Sequence, residues 1–139
     1  MIEVYTDGST NEITQCSSIG IYIKNGQEQH EFSCTIPYCS NHEAEFYAVQ
    51  KALEICIEKY PNDILSFRTD SQIVVDAIDK NYAKNKQFEA YMKNIHNLSQ
   101  SFPLFFIKWI ASSQNTHADN LAKKACKEHK KVRTIRYSN

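Results

Sequence analysis

The chain is 139 residues long, with 16 Lys/Arg set against 16 Asp/Glu, 42% hydrophobic and 23% charged residues. This describes one domain (1–139) with enough apolar material for a core, and excludes a disordered or collagen-like chain. No run of about 18 apolar residues is present, so no membrane-spanning helix is expected.

The first element is the run Ile2-Glu3-Val4-Tyr5-Thr6-Asp7-Gly8-Ser9, a β-branched and aromatic strand that meets an acid and a Gly-Ser turn signal. Asp7 is therefore expected where the strand ends. The runs 18–24 and 28–36 flank Asn25-Gly26, a hairpin signal, so the first three strands form an antiparallel meander. Pro37 ends it, and Ser40 or Asn41 can cap the next helix.

That helix, from His42 to about Tyr60, has Ala48, Val49, Ala52, Leu53 and Cys56 on one stripe at about 100° per residue. Glu45 falls in the centre of the stripe, while Glu43 points away as a solvated first-turn acid. A carboxylate aimed at the core side costs several kcal/mol unless a cation or donors meet it. Asp63 precedes the strand Ile64-Leu65-Ser66-Phe67-Arg68-Thr69-Asp70-Ser71, which repeats the opening arrangement. A strand reached through a helical crossover lies parallel to its neighbour, so Asp7 and Asp70 become adjacent if that neighbour is the first strand.

Gln72 to about Asn81 reads as a helix with Ile73, Val74, Ala77 and Ile78 on one face; a second, from Gln87 to Ser101, carries Phe88, Tyr91, Met92, Ile95 and Leu98 at helical spacing as core residues. Leu104-Phe105-Phe106-Ile107-Lys108-Trp109-Ile110 reads as a strand buried on both faces. After the polar loop Ala111-Ser112-Ser113-Gln114, Asn115 opens a final helix to about Lys131, with Asp119 at the margin of its apolar stripe and 132–139 expected to fray. The order is β-β-β-α-β-α-α-β-α.

The five cysteines (Cys16, Cys34, Cys39, Cys56, Cys126) are scattered without C-x-x-C spacing, which predicts free thiols and no zinc site. Charge is uneven: residues 1–122 hold 9 Lys/Arg against 15 Asp/Glu, and residues 123–139 hold 7 against 1. The basic end reads either as a helix terminus complementing the dipole or as a phosphate-contacting patch. The N-terminus shows no signal-peptide pattern, so a cytoplasmic protein is expected.

Four acids thus stand at the C-terminal ends of strands or the N-terminal ends of helices. Singly, turn preference and the helix dipole account for each. Together they raise one another's proton affinity, and an all-oxygen cluster selects Mg²⁺ or Mn²⁺. In this arrangement the sequence resembles the type 1 ribonucleases H across nearly the whole chain. Thr6-Asp7-Gly8-Ser9 is similar to the family's first-strand motif, Asn41-His42-Glu43-Ala44-Glu45 to its Asn-Asn-x-x-Glu motif, Thr69-Asp70-Ser71 to the third, and Asn115-Thr116-His117-Ala118-Asp119 to the fourth.

The resemblance implies an α/β ribonuclease H-like fold, a five-stranded mixed sheet with helices on both faces. It also implies endonucleolytic hydrolysis of the RNA strand of an RNA–DNA hybrid, giving 5′-phosphate and 3′-hydroxyl ends, with two ions about 3.5–4 Å apart. Asp7 would bridge the ions, Glu45 and Asp70 would complete one shell, and Asp119 the other. Gly8, Ser9, Ser40, Asn41, His42 and Asn115 would lie along the substrate, and a monomer is expected. The chain departs from the family at His42, where the pattern has Asn, and lacks both the His-bearing glycine-rich loop and the long basic handle of some members. His117 is nearby, but as a helical residue two before Asp119 it need not substitute for the loop His. Two alternatives stay open: a non-catalytic nucleic-acid-binding module on this fold, and a related nuclease acting on another structured nucleic acid.

Overall fold

Three long strands open the chain: β1 (Ile2–Asn11), β2 (Cys16–Asn25) and β3 (Glu28–Ile36), paired antiparallel in sequence. The turn between β2 and β3 is Asn25-Gly26, with Gly26 at φ 62°, where a residue without Cβ is unstrained. The computed structural model describes residues 1–138, and side chains for residues 1–128. Helix α1 (Asn41–Lys59) crosses over to β4 (Ile64–Thr69), parallel to β1, and α2 (Gln72–Lys80) and α3 (Lys86–Ser99) lead to β5 (Leu104–Trp109), parallel to β4. The sheet order is β3-β2-β1-β4-β5, and a 3₁₀ turn (Ser112–Gln114) precedes α4 (Thr116–Ser138).

The two faces differ in chemistry because alternate residues of each strand point oppositely. One face presents Ile2, Val4, Ile19, Ile21, Ile23, Leu65 and Phe67, which form the core with Phe46, Ala48, Val49, Ala52, Leu53 and Cys56 of α1. The other presents Ser18, Gly20 and Ser33, small residues on which α4 lies with Ala118 and Ala122 fully buried. The hydroxyls of Ser18 and Ser33 donate to the carbonyls of Ala122 and Leu121.

Several expectations change. β1 does not end at Asp7, and Gly8-Ser9 does not turn. β2 pairs with β1 continuously from Glu3↔Lys24 to Asn11↔Cys16, whereas the parallel pairing with β4 stops at Tyr5↔Arg68. Asp7 thus lies in mid-strand, two residues past the last parallel pair. β5 is not buried on both faces but forms the open edge, leaving Leu104, Phe106 and Trp109 exposed; an edge strand has one neighbour, and α4 covers the other side of the sheet. On α2, Ile73 faces outward and Val75 is buried instead.

The thiol expectation fails for one pair. Cys16 and Cys126 form a disulfide with Cα atoms 6.1 Å apart, across 110 residues of sequence, because the docking of α4 carries Cys126 over the start of β2. Cys34, Cys39 and Cys56 are free. The backbone of α4 is helical to Ser138, past the expected end near Lys131. The side chains of the segment expected to fray, 132–139, lie outside the described residues, as does Asn139 altogether.

A cross-link spanning so long a loop restricts the unfolded chain, so reduction or Cys126→Ser is expected to lower stability by about 2–4 kcal/mol. Thermal melts with and without reductant check this; identical midpoints would show that the cystine does not secure α4.

Candidate active site

Two glycines decide where the acids meet. A Cβ on Gly8 would stand 2.2 Å from the carbonyl carbon of Ala44 and 2.4 Å from the amide nitrogen of Glu45, so the first turn of α1 rests directly on the backbone of β1. On the other face Gly20 pairs with Asp7 across β1 and β2, and a Cβ there would stand 2.1 Å from the Ala118 carbonyl oxygen and 2.6 Å from the Ala122 nitrogen. Real side chains do not approach so closely. Glu45, on α1, and Asp119, on α4, are thereby brought to Asp7 from opposite sides of the sheet. Asp70 arrives on the strand beside β1, just after β4 ends.

Asp7, Glu45 and Asp70 each offer a carboxylate oxygen, and these oxygens lie within 4.8 Å of one another. Asp7 is the most buried, and its carboxyl is raised to about 8, first by burial and then by the negative charges of Asp70, Asp119 and Glu45. Glu45 is also raised by burial and Asp70, against hydrogen bonds from Ser71 and His42 that favour its charged form. Asp119 flanks Asp7, and the Lys123 amine donates to its Oδ2 at 2.9 Å. Lys123 is held charged by that bond. The cluster is thus a concentration of like charge with one ammonium at its edge. Its donors are all oxygen, the set that suits a hard divalent cation.

The flanking residues sort by what they touch. Ser40 caps α1: its Oγ accepts from the Glu43 N–H at 3.1 Å, and the Glu43 side chain accepts from the Ser40 N–H. Glu43 is therefore half of a capping box rather than simply solvated. The Asn41 Oδ1 accepts from the Thr10 N–H, tying the start of α1 to the end of β1. His42 Nδ1 stands 3.4 Å from Glu45 Oε2; the ring meets Phe88 edge-on and is half exposed to solvent. Gly8 and Ser9 lie within β1, directly after Asp7.

Asn115, expected along the substrate, is 1% exposed, and its amide donates to the Thr6 carbonyl at 3.0 Å. Its side chain ties the start of α4 to β1. His117 stacks on Tyr22 with ring centroids 3.7 Å apart and pairs with Glu31, so its ring braces α4 against β2 and β3. Sequence reasoning missed Ser71 as a donor to Glu45, although Ser before a helical pattern is a capping signal, and missed Lys123, which lies four residues after Asp119 on the same helical face.

EbsB of Enterococcus faecalis, by name a candidate hydrolase, is 36% identical to this chain over 126 residues, covering 90% of this chain and 93% of its own. The model of the family described as reverse transcriptase-like matches residues 5–125. The chain belongs to this reverse transcriptase-like family. Solved ribonucleases H share the family's fold. The ribonuclease H1 of the halophilic archaeon Halobacterium salinarum superposes with a TM-score of 0.83 at 23% identity, covering 91% of this chain and 98% of that one. LC11 ribonuclease H1, solved in complex with an RNA/DNA hybrid, gives 0.84 at 24% identity, covering 93% and 99%. The reverse transcriptase-like chain is therefore an α/β protein of the ribonuclease H fold, as its motifs imply.

A carboxyl that the fold raises is a group whose deprotonation opposes folding. The stability contributed by protonated Asp7 is complete below its unfolded value of 3.8 and is lost as pH rises through about 8. In chelator, melting temperature is expected to fall between pH 5 and pH 8, and Asp7→Asn to flatten the decline and stabilise the protein at pH 8. An Asp7→Asn variant that melts with the wild-type pH slope would contradict the assignment.

Proposed function

We propose that this protein hydrolyses the RNA strand of RNA–DNA hybrids endonucleolytically, using divalent ions held by Asp7, Glu45, Asp70 and Asp119 and leaving 5′-phosphate and 3′-hydroxyl ends. The observation that carries this is the set of three carboxylate oxygens within 4.8 Å, flanked by Asp119, on the fold of the ribonucleases H. Its support from relatives is the hydrolase name of EbsB and the hybrid bound in the LC11 complex. When bound, two Mg²⁺ or Mn²⁺ ions supply the positive charge that acidifies a water and stabilises the leaving oxygen.

The chain's own residues prepare for this. Burial, and after it the charges of Asp70, Asp119 and Glu45, holds the Asp7 carboxyl well above the usual carboxylate range in the metal-free site, and bound cations would offset that concentration of charge. Ser71 and His42 orient Glu45. Asn41 and His42 stand exposed at the start of α1, whose N-terminus would favour an approaching phosphate. The 2′-hydroxyl selects RNA, and contacts confined to the backbone leave little base preference.

The reading includes a monomer acting without a protein partner. It also includes a cytoplasmic location, in which the Cys16–Cys126 pair would meet reducing conditions. Among the described residues no helix is long and apolar enough to cross a membrane.

A labelled hybrid is expected to be cut in Mg²⁺ or Mn²⁺, and Asp70→Asn or Asp7→Asn to reduce cutting to background while circular dichroism stays native. Intact hybrid under both metals across a range of salt would end the claim. One observation favours the alternative of a non-catalytic binding module: the exposed Lys123 ammonium already supplies a cation to Asp119. Calorimetry separates the two readings, since the module binds hybrid equally with and without metal.

A further inference from the structure

The open edge of the sheet carries an aromatic residue that the proposed chemistry does not use. Trp109, the last residue of β5, donates its indole N–H to the backbone carbonyl of Asp70 at 3.2 Å. Its backbone pairs with Thr69 of β4, and the next N–H, of Ile110, donates to the Thr69 carbonyl at 2.8 Å. The ring is thus held at its polar end, yet half of the residue stays exposed. Ile73, three residues past Asp70, is exposed as well. An indole whose polar atom is already satisfied gains nothing from water over its face, and so large a ring is usually well buried.

We infer that Trp109 is a substrate-contact residue whose indole face packs against a sugar or base of the nucleic-acid strand lying on the Asp7–Glu45–Asp70 cluster. The inference rests on the hydrolase reading above. The placement supplies the argument: Asp70 holds the indole through its carbonyl and supplies a carboxylate to the cluster, so a strand laid on one runs past the other. Every nucleotide has an apolar face beside its phosphate, which makes such a contact tolerant of sequence. An apolar contact also escapes salt screening. It would matter here because cations are sparse: Lys108 is the one charge on β5, and Lys80, Lys84 and Lys86 are those from the end of α2 to the start of α3.

The chain has one tryptophan, so its emission reports on this residue alone. The probe is a short RNA–DNA hybrid with a fluorescent label, titrated in Ca²⁺, whose loose coordination holds two-metal geometry poorly. Trp109 emission is expected to be quenched with the same midpoint as the anisotropy of the label. Trp109→Ala is expected to weaken binding about tenfold and by a similar factor at low and high salt, with Trp109→Phe recovering most of the loss. Rising anisotropy with silent tryptophan emission would overturn the contact and leave the hydrolase reading standing. An absence of hybrid binding to wild type would overturn both. The emission measurement needs no variant, so it decides the matter even if Trp109→Ala fails to fold.

Discussion

Mutual repulsion among carboxylates is the constraint around which this structure is arranged. Asp7 is buried, with carboxylate oxygens of Glu45 and Asp70 within 4.8 Å and Asp119 close enough to raise its carboxyl further. Left to itself such a cluster would drive its members apart, since each charge disfavours its neighbours. Backbone packing prevents that. α1 touches β1 at Gly8 and α4 touches β2 at Gly20, so the helices that carry Glu45 and Asp119 have nowhere to retreat.

The rest of the fold holds those two contacts in place. α1 is secured by its apolar stripe against the β-branched face of the sheet and by the Ser40–Glu43 capping box at the end nearest the site. α4 has a smaller apolar stripe and relies on polar attachments: serine hydroxyls from β2 and β3, the Asn115 amide on Thr6, the stacked pair His117–Tyr22 and the cystine at Cys126. Each ties an atom of α4 or its approach to the strands beneath. The two sides of the cluster are thus supported by different physics, hydrophobic burial for Glu45 and directed bonds for Asp119.

Charge is distributed to match. The body of the chain is acidic and its C-terminal stretch basic, and the first lysine of that stretch, Lys123, already meets Asp119. Between α2 and α3 no extended basic insertion is found, and β5 leaves a mainly apolar edge on which Lys108 is the one charge. A polyanion approaching the acids would therefore meet the Lys123 ammonium at the Asp119 side and an edge that is mainly apolar on the β5 side.

The sequence alone determined the element order, that the strand before Asp70 runs parallel to its neighbour, and which four acids are the candidates; that the neighbour is β1 came from the sheet itself. The features legible in sequence follow from hydrophobic period and turn chemistry, which are local, and from a motif resemblance on which Asp7, Glu45, Asp70 and Asp119 fall in order. Glu45 could be told from Glu43 because a helix assigns each residue an azimuth. Tertiary structure decided the rest. The continuation of β1 past Asp7 depends on β2, and the exposure of β5 and Ile73 on which elements cover the sheet. The Cys16–Cys126 bond joins residues 110 apart in sequence. Gly8 read as a turn because glycine permits one; only the first turn of α1 lying where its Cβ would be shows that the missing side chain is needed for space. Local patterns record what a segment can do alone, whereas these features are set by what is packed against it.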